Sequence, residues 1–187
     1  MSEQRRPGRL RLAWRLLLGL VLVAAAHHYF VGPSPGIRPF DTSLSGVRSS
    51  PFDALTGFER RQLKQQRAIV AELARRHVGS TPTGRSIEDL RILQEILDRE
   101  VLAADQTREL QALGVALGDV MALRFGLDWV AFQDELGRSR ALRLGETDVV
   151  IFPVTMISKR VEAGVPFDLD ELWRKTERTI ADARRGA

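Results

Sequence analysis

Five arginines stand directly ahead of an uninterrupted apolar run, and that arrangement restricts the chain more than any other feature. Arg5, Arg6, Arg9, Arg11 and Arg15 fall within the first fifteen residues, beside a single acid, Glu3. Leu16 to Ala26 then reads LLLGLVLVAAA, without a charge. A basic cluster next to an apolar stretch fits poorly in a globular core and well at a membrane boundary. As a helix, residues 12–31 rise about 30 Å, the thickness of the hydrocarbon layer. Trp14 and the Tyr29–Phe30 pair then fall at the two headgroup belts, Arg15 can snorkel to the interface, and Leu16 and Leu20 meet lipid. The competing reading is a cleaved signal peptide, with Ala24-Ala25-Ala26 as an A-x-A site before His27. The return of apolar character at Tyr29–Val31 favours a signal anchor. Under both readings the arginines stay in the cytoplasm, and the remainder is single-pass cargo sent to the periplasm or cell exterior.

Charge after that point is balanced. The chain has 28 Lys and Arg against 24 Asp and Glu. Subtracting the first fifteen residues leaves 23 of each (28 − 5 and 24 − 1), so the basic pI belongs to the tail. Nucleic-acid binding needs clustered positive charge to displace counterions, so no nucleic-acid partner is expected. Cysteine is absent, which excludes disulfides and thiolate chemistry. The histidines, His27, His28 and His77, have no metal-ligand spacing. No cofactor or metal is expected, since no P-loop, dinucleotide fingerprint or EF-hand loop is present.

The organisation that follows is a basic cytoplasmic tail at 1–11, an anchor at 12–31, a linker at 32–51 and a folded domain at 52–187. Twelve of the twenty linker residues are Gly, Pro or Ser, a composition that resists regular structure. In the domain, Thr56 with Glu59 forms a capping box opening a helix to about His77, with Gly79 as its stop. Ser86 with Asp89 marks a second start, and Leu90, Leu93, Leu97 and Val101 carry that helix to about Leu102. A third runs from about Gln106 to Phe125. Gly114 and Gly118 lie on one face of it, where they permit close approach of another helix or the sheet. Period two then takes over. Strands are expected at Trp129–Gln133 and around Ala141–Leu144, with Val149–Phe152 as a buried central strand of a three-stranded antiparallel meander. Helices at Val154–Ala163 and Leu169–Ala183 close an α+β fold.

The segments GVALGDVMALRFGLDWV, DELGR and FPVTMISKRVEAG, over residues 114–173, resemble the family known as domain of unknown function 3806. The resemblance implies a small α+β module and no particular reaction, cofactor or ligand.

The densest polar stretch beside a buried strand is Thr155 to Arg160. Pro153 at an early helix position would leave backbone N–H groups near the Thr155 and Ser158 hydroxyls, an arrangement suited to an anion, with Lys159, Arg160 or Arg143 adding charge. The competing reading has Thr155 capping the helix and the two cations in solvent. Catalytic residues are not assigned. Ser158 and Lys159 are adjacent and diverge by about 100° on a helix, unlike S-x-x-K. Asp134 and Glu135 are expected to pair with Arg138 and Arg140 across the hairpin rather than act as a catalytic dyad. The sequence therefore favours a membrane-anchored, envelope-facing binding or interaction module whose partner is an envelope protein or small anionic ligand. The alternative is a hydrolase-type enzyme acting on an anionic envelope substrate.

Overall fold

A computed structural model describes residues 50–186. The expected anchor (Trp14, Arg15, Leu16, Leu20, Tyr29, Phe30) and most of the linker lie outside the described residues. Among the described residues no helix is long and apolar enough to cross a membrane. The fold is α+β, as the period change predicts.

The first helix, α1 (Gly57–His77), opens as the capping box requires. Glu59 N–H donates to the Thr56 hydroxyl at 3.2 Å, and the Glu59 carboxylate accepts from Thr56 N–H at 2.7 Å. Gly79, at φ +75°, follows its end. The next helix, α2 (Asp89–Asp98), stops four residues short of Leu102. Glu100 has left-handed φ of +50° and turns the chain, while Val101 and Leu102 still pack on the core from irregular backbone. Apolar spacing continued past the hydrogen-bonded helix, so the periodicity overstated its length. The third helix, α3 (Thr107–Phe125), has the expected bounds, and Gly126 in the left-handed region caps it.

The sheet has four antiparallel strands in the order β1 (Phe52–Ala54), β2 (Asp128–Asp134), β3 (Gly137–Arg143) and β4 (Val150–Ile151). Two expectations are corrected here. The sheet contains a fourth strand, β1, at the very start of the expected domain, where no strand was expected; Gln133 N–H donates to the carbonyl of Pro51, the last expected linker residue, at 2.8 Å just before it. The apolar run at 149–152 supplies an edge strand, paired with β3 alone, rather than a central one. Its burial comes from packing on the helical side: Ile151 belongs to the main core with Leu113, Leu117 and Ile157.

Residues directly opposite in the register share a face. Trp129, Ala131, Leu142 and Ile151 therefore look toward the helices. Phe52, Val130, Phe132, Ala141 and Val150 occupy the other face, where the Phe52 and Phe132 rings sit 5.4 Å apart and Phe152 meets Phe132 edge-on at 5.6 Å.

The expected helix at 154–163 forms as two short pieces, α4 (Pro153–Met156) and α5 (Ser158–Glu162). Ile157 between them keeps helical dihedrals, so the run bends without leaving the helical region. The last helix, α6 (Leu169–Gly186), begins where Asp168 accepts from Asp170 N–H at 2.7 Å, and its Trp173 ring packs 4.7 Å from that of Phe125. Gly114 and Gly118 in α3 lie against Pro153, Val154 and Trp129, the tight packing their spacing suggested.

Candidate functional site

The five residues singled out in the sequence share a neighbourhood but not a cleft. Arg143, at the end of β3, donates through Nε to the Thr147 carbonyl at 2.8 Å and pairs with Glu146 at 3.0 Å. Its guanidinium lies 4.0 Å from the Phe52 ring centre. It braces the β3–β4 turn and the outer sheet face. Thr155 sits inside α4 and caps no helix; Ser158 is buried, while Lys159 is exposed. The expected divergence of Ser158 and Lys159 is thus met. Arg160 is half-buried, and its Nη1 donates to the Met156 carbonyl at 2.6 Å. Burial lowers its pKa, opposed by the Glu171 charge. Pro153 is buried at the start of a four-residue helix, and its ring and carbonyl oxygen, with the Val154 carbonyl oxygen, lie against Gly114 and Gly118 of α3.

The hairpin ion pairs predicted for Arg138 and Arg140 do not form. Arg138 bonds Glu59 through Nε at 2.9 Å and Asp53 through Nη1 at 2.7 Å. Arg140 donates to the Gln66 side chain. Asp134 instead accepts from Leu136 N–H at 2.9 Å, which shapes the turn. These arginines project from the face of β3 that meets α1, a relation that short-range reading of the hairpin cannot supply.

A cleft of about 580 Å³ opens between α1, the loop 79–88 and α3. Its size lies in the range of small-molecule sites. Helix α1 lends Arg67, Val70 and Ala71; α3 lends Ala116, Asp119 and Leu123; the loop supplies Thr83, Gly84 and Arg85. The polar floor is preorganised. Arg67 donates through Nε and Nη2 to the two Asp119 oxygens, each at 2.7 Å, and Trp129 Nε1 donates to Asp119 at 3.0 Å. The Asp119 hydrogen bond is the main cause of a raised Arg67 pKa.

The loop wall is equally fixed. Asp89, only 3 % exposed, accepts from the backbone N–H groups of Thr83 at 3.0 Å, Arg85 at 3.2 Å and Ser86 at 3.4 Å, and from the Thr83 hydroxyl at 3.1 Å. The Ser86–Asp89 pair was expected to open α2. Asp89 instead reaches back to hold the preceding loop, placing Gly84 at φ +68° beside Asp119.

A second cleft, of about 610 Å³, lies between α2, α3, α5 and the approach to α6. Leu97, Leu102, Leu110, Val161 and Phe167 line it together with Gln94, Asp98 and Glu100, so its polar groups are an amide and two carboxylates. Its Gln94 is already engaged, accepting from Leu169 N–H at 2.9 Å and donating to Asp98 at 2.7 Å. None of the five sequence-derived residues lines either cleft. Among the described residues no group of three His, Asp or Glu is placed to hold a metal ion.

The family model of the domain of unknown function 3806 matches residues 89–173. The match runs from the first residue of α2 into the start of α6. The DUF3806 segment thus supplies the α3 side of the first cleft, with Asp119 and Leu123. Arg67 and Arg85 lie before it. The chain is also similar in fold to a protein of Bacteroides thetaiotaomicron VPI-5482 with a crystal structure at 1.50 Å resolution. That similarity has a TM-score of 0.60 at 18 % identity and covers 69 % of this chain and 48 % of that one. The chain therefore corresponds to about half of its structural relative. No curated protein matches it.

Proposed function

We propose that this chain is a binding module that takes a small ligand in the cleft between α1, the loop 79–88 and α3, and that residues 12–31 hold it at the envelope-facing side of a membrane. The observation that carries the binding reading is the built floor and wall: Asp119 orients Arg67, and Asp89 fixes the loop that bears Arg85. Groups held rigidly before a ligand arrives reduce the entropic cost of binding. The membrane reading is supported by the arginine cluster and apolar run. The hydrolase alternative lacks comparable support, because a nucleophile needs a base within hydrogen-bond reach and exposed Lys159 points away from buried Ser158.

The absence of cysteine permits a direct test. Leu123, on the cleft wall, is 62 % exposed, and Leu136, at the hairpin tip, is 97 % exposed. In full-length chain in native membranes, Leu123→Cys should react more slowly with a maleimide when envelope extract is added. Leu136→Cys should not change. Equal rates at Leu123→Cys with and without extract would contradict the proposal.

A further inference from the structure

We infer that the ligand of this cleft is an oxyanion carrying a short aliphatic chain, an alkyl carboxylate or phosphonate type of molecule. The inference rests on the binding role proposed above and adds the ligand's chemical class. Charge is the first argument. The cleft holds two guanidiniums, Arg67 and Arg85, against one carboxylate, Asp119, and that carboxylate is already matched by Arg67 and Trp129. The Asp89 carboxylate behind the loop is taken up by backbone N–H groups and the Thr83 hydroxyl, so the charge in the lining without a carboxylate partner is the Arg85 guanidinium.

Donor geometry is the second argument. Arg67 binds Asp119 through its Nε and Nη2 edge, which leaves the Nη1 end of the fork without a protein acceptor among the described residues. The Arg67 side chain remains 45 % exposed, so this end is accessible. Arg85 is exposed and makes no ion pair among the described residues. Guanidiniums match carboxylate and phosphate oxygens in shape as well as charge.

Beside Thr83 and Gly84, the lining is apolar, with Val70, Ala71, Ala116 and Leu123 among its residues. Val70 and Ala116 are already buried, but Leu123 is 62 % exposed; a bare inorganic anion would leave it wet, whereas an aliphatic chain covers it. The second cleft offers no comparable cation, since its charged groups are Asp98 and Glu100. An oxyanion therefore selects the first cleft over the second.

The test uses the full-length Leu123→Cys chain in membranes with four soluble probes of one chain length: hexanoate, hexylphosphonate, hexanol and hexyltrimethylammonium. The two oxyanions should slow maleimide labelling, and the alcohol and the ammonium should not. Adding Arg85→Gln, which disturbs no protein partner, should weaken protection by hexanoate about tenfold, the loss expected for one charge-assisted contact. Adding Arg67→Gln should weaken it at least as much; because this substitution also frees Asp119, the Arg85 variant decides the matter. Protection by hexanol equal to that by hexanoate would overturn the inference. So would protection by hexanoate that Arg85→Gln leaves unchanged. Protection by envelope extract without protection by either oxyanion would overturn the ligand class and leave the binding role standing. Protection by neither extract nor probe would remove both.

Discussion

A Cβ placed on Gly114 would lie 2.4 Å from the Pro153 carbonyl oxygen and 2.6 Å from that of Val154, both backbone atoms with no rotamer to yield. On Gly118 it would meet the Pro153 ring and the Trp129 ring, each at 2.7 Å; the proline ring is buried and fixed to its backbone, and the indole is tied to Asp119, so neither yields cheaply. Gly114→Ala should therefore cost about 2–3 kcal/mol, net of the helix propensity gained. Gly118→Ala should cost a similar amount and also loosen the Trp129–Asp119 hydrogen bond, as urea unfolding of the two variants and Trp129 fluorescence will show. Glu59 is a different case, held by chemistry rather than space. Burial pushes its carboxyl up, and hydrogen bonds from Arg138 and Thr56 outweigh this, leaving the pKa lowered from 4.5 to about 2. A carboxyl depressed in the folded state stabilises fully above its unfolded value and loses that contribution as pH falls through its folded value. Wild-type stability should accordingly exceed that of Glu59→Gln at pH 6, with the gap closing between pH 4.5 and about pH 2. A gap independent of pH would show that the carboxylate charge is not what matters.

Element by element, local signals were legible and distant ones were not. The Thr56–Glu59 capping box and the Gly79 and Gly126 stops act within one turn, and their residues specify α1 and α3 closely. Strand β1 is only three residues long and pairs with a strand nearly 80 positions later, so neither alternation nor a neighbouring turn marks it. For β4, apolar composition signals burial but not strand position, which depends on what the helices cover. Asp89 is the instructive intermediate. Its spacing from Ser86 marks a helix start, yet its oxygens serve the loop upstream. Asp89→Ala should leave three backbone N–H groups without their acceptor and cost about 2 kcal/mol. Amide exchange at Thr83, Arg85 and Ser86 should accelerate far more than exchange in α3. Uniform acceleration across the domain would mean that Asp89 holds the whole fold and not this loop alone.

At the scale of the molecule, charge and position separate two tasks. All of the net +4 resides ahead of the apolar run, and the remainder is neutral overall while concentrating two arginines at one cleft. That cleft could not be read from sequence, because Arg67 and Asp119 are 52 positions apart and meet only when α1 packs on α3. In the polar stretch 155–160, Ser158 is buried, Arg160 bonds the Met156 carbonyl and Lys159 stays in solvent. The anchoring reading predicts that full-length chain stays with the membrane pellet in alkaline carbonate. Leu20→Arg, which puts a charge mid-span at a cost of about 3 kcal/mol, should shift part of it to the supernatant. The binding reading is tested most directly by comparing maleimide protection at Leu123→Cys with that at Lys159→Cys, both in full-length chain exposed to the same envelope extract. Protection confined to Leu123→Cys is the predicted result. Protection confined to Lys159→Cys would contradict it and return the site to the 155–160 segment.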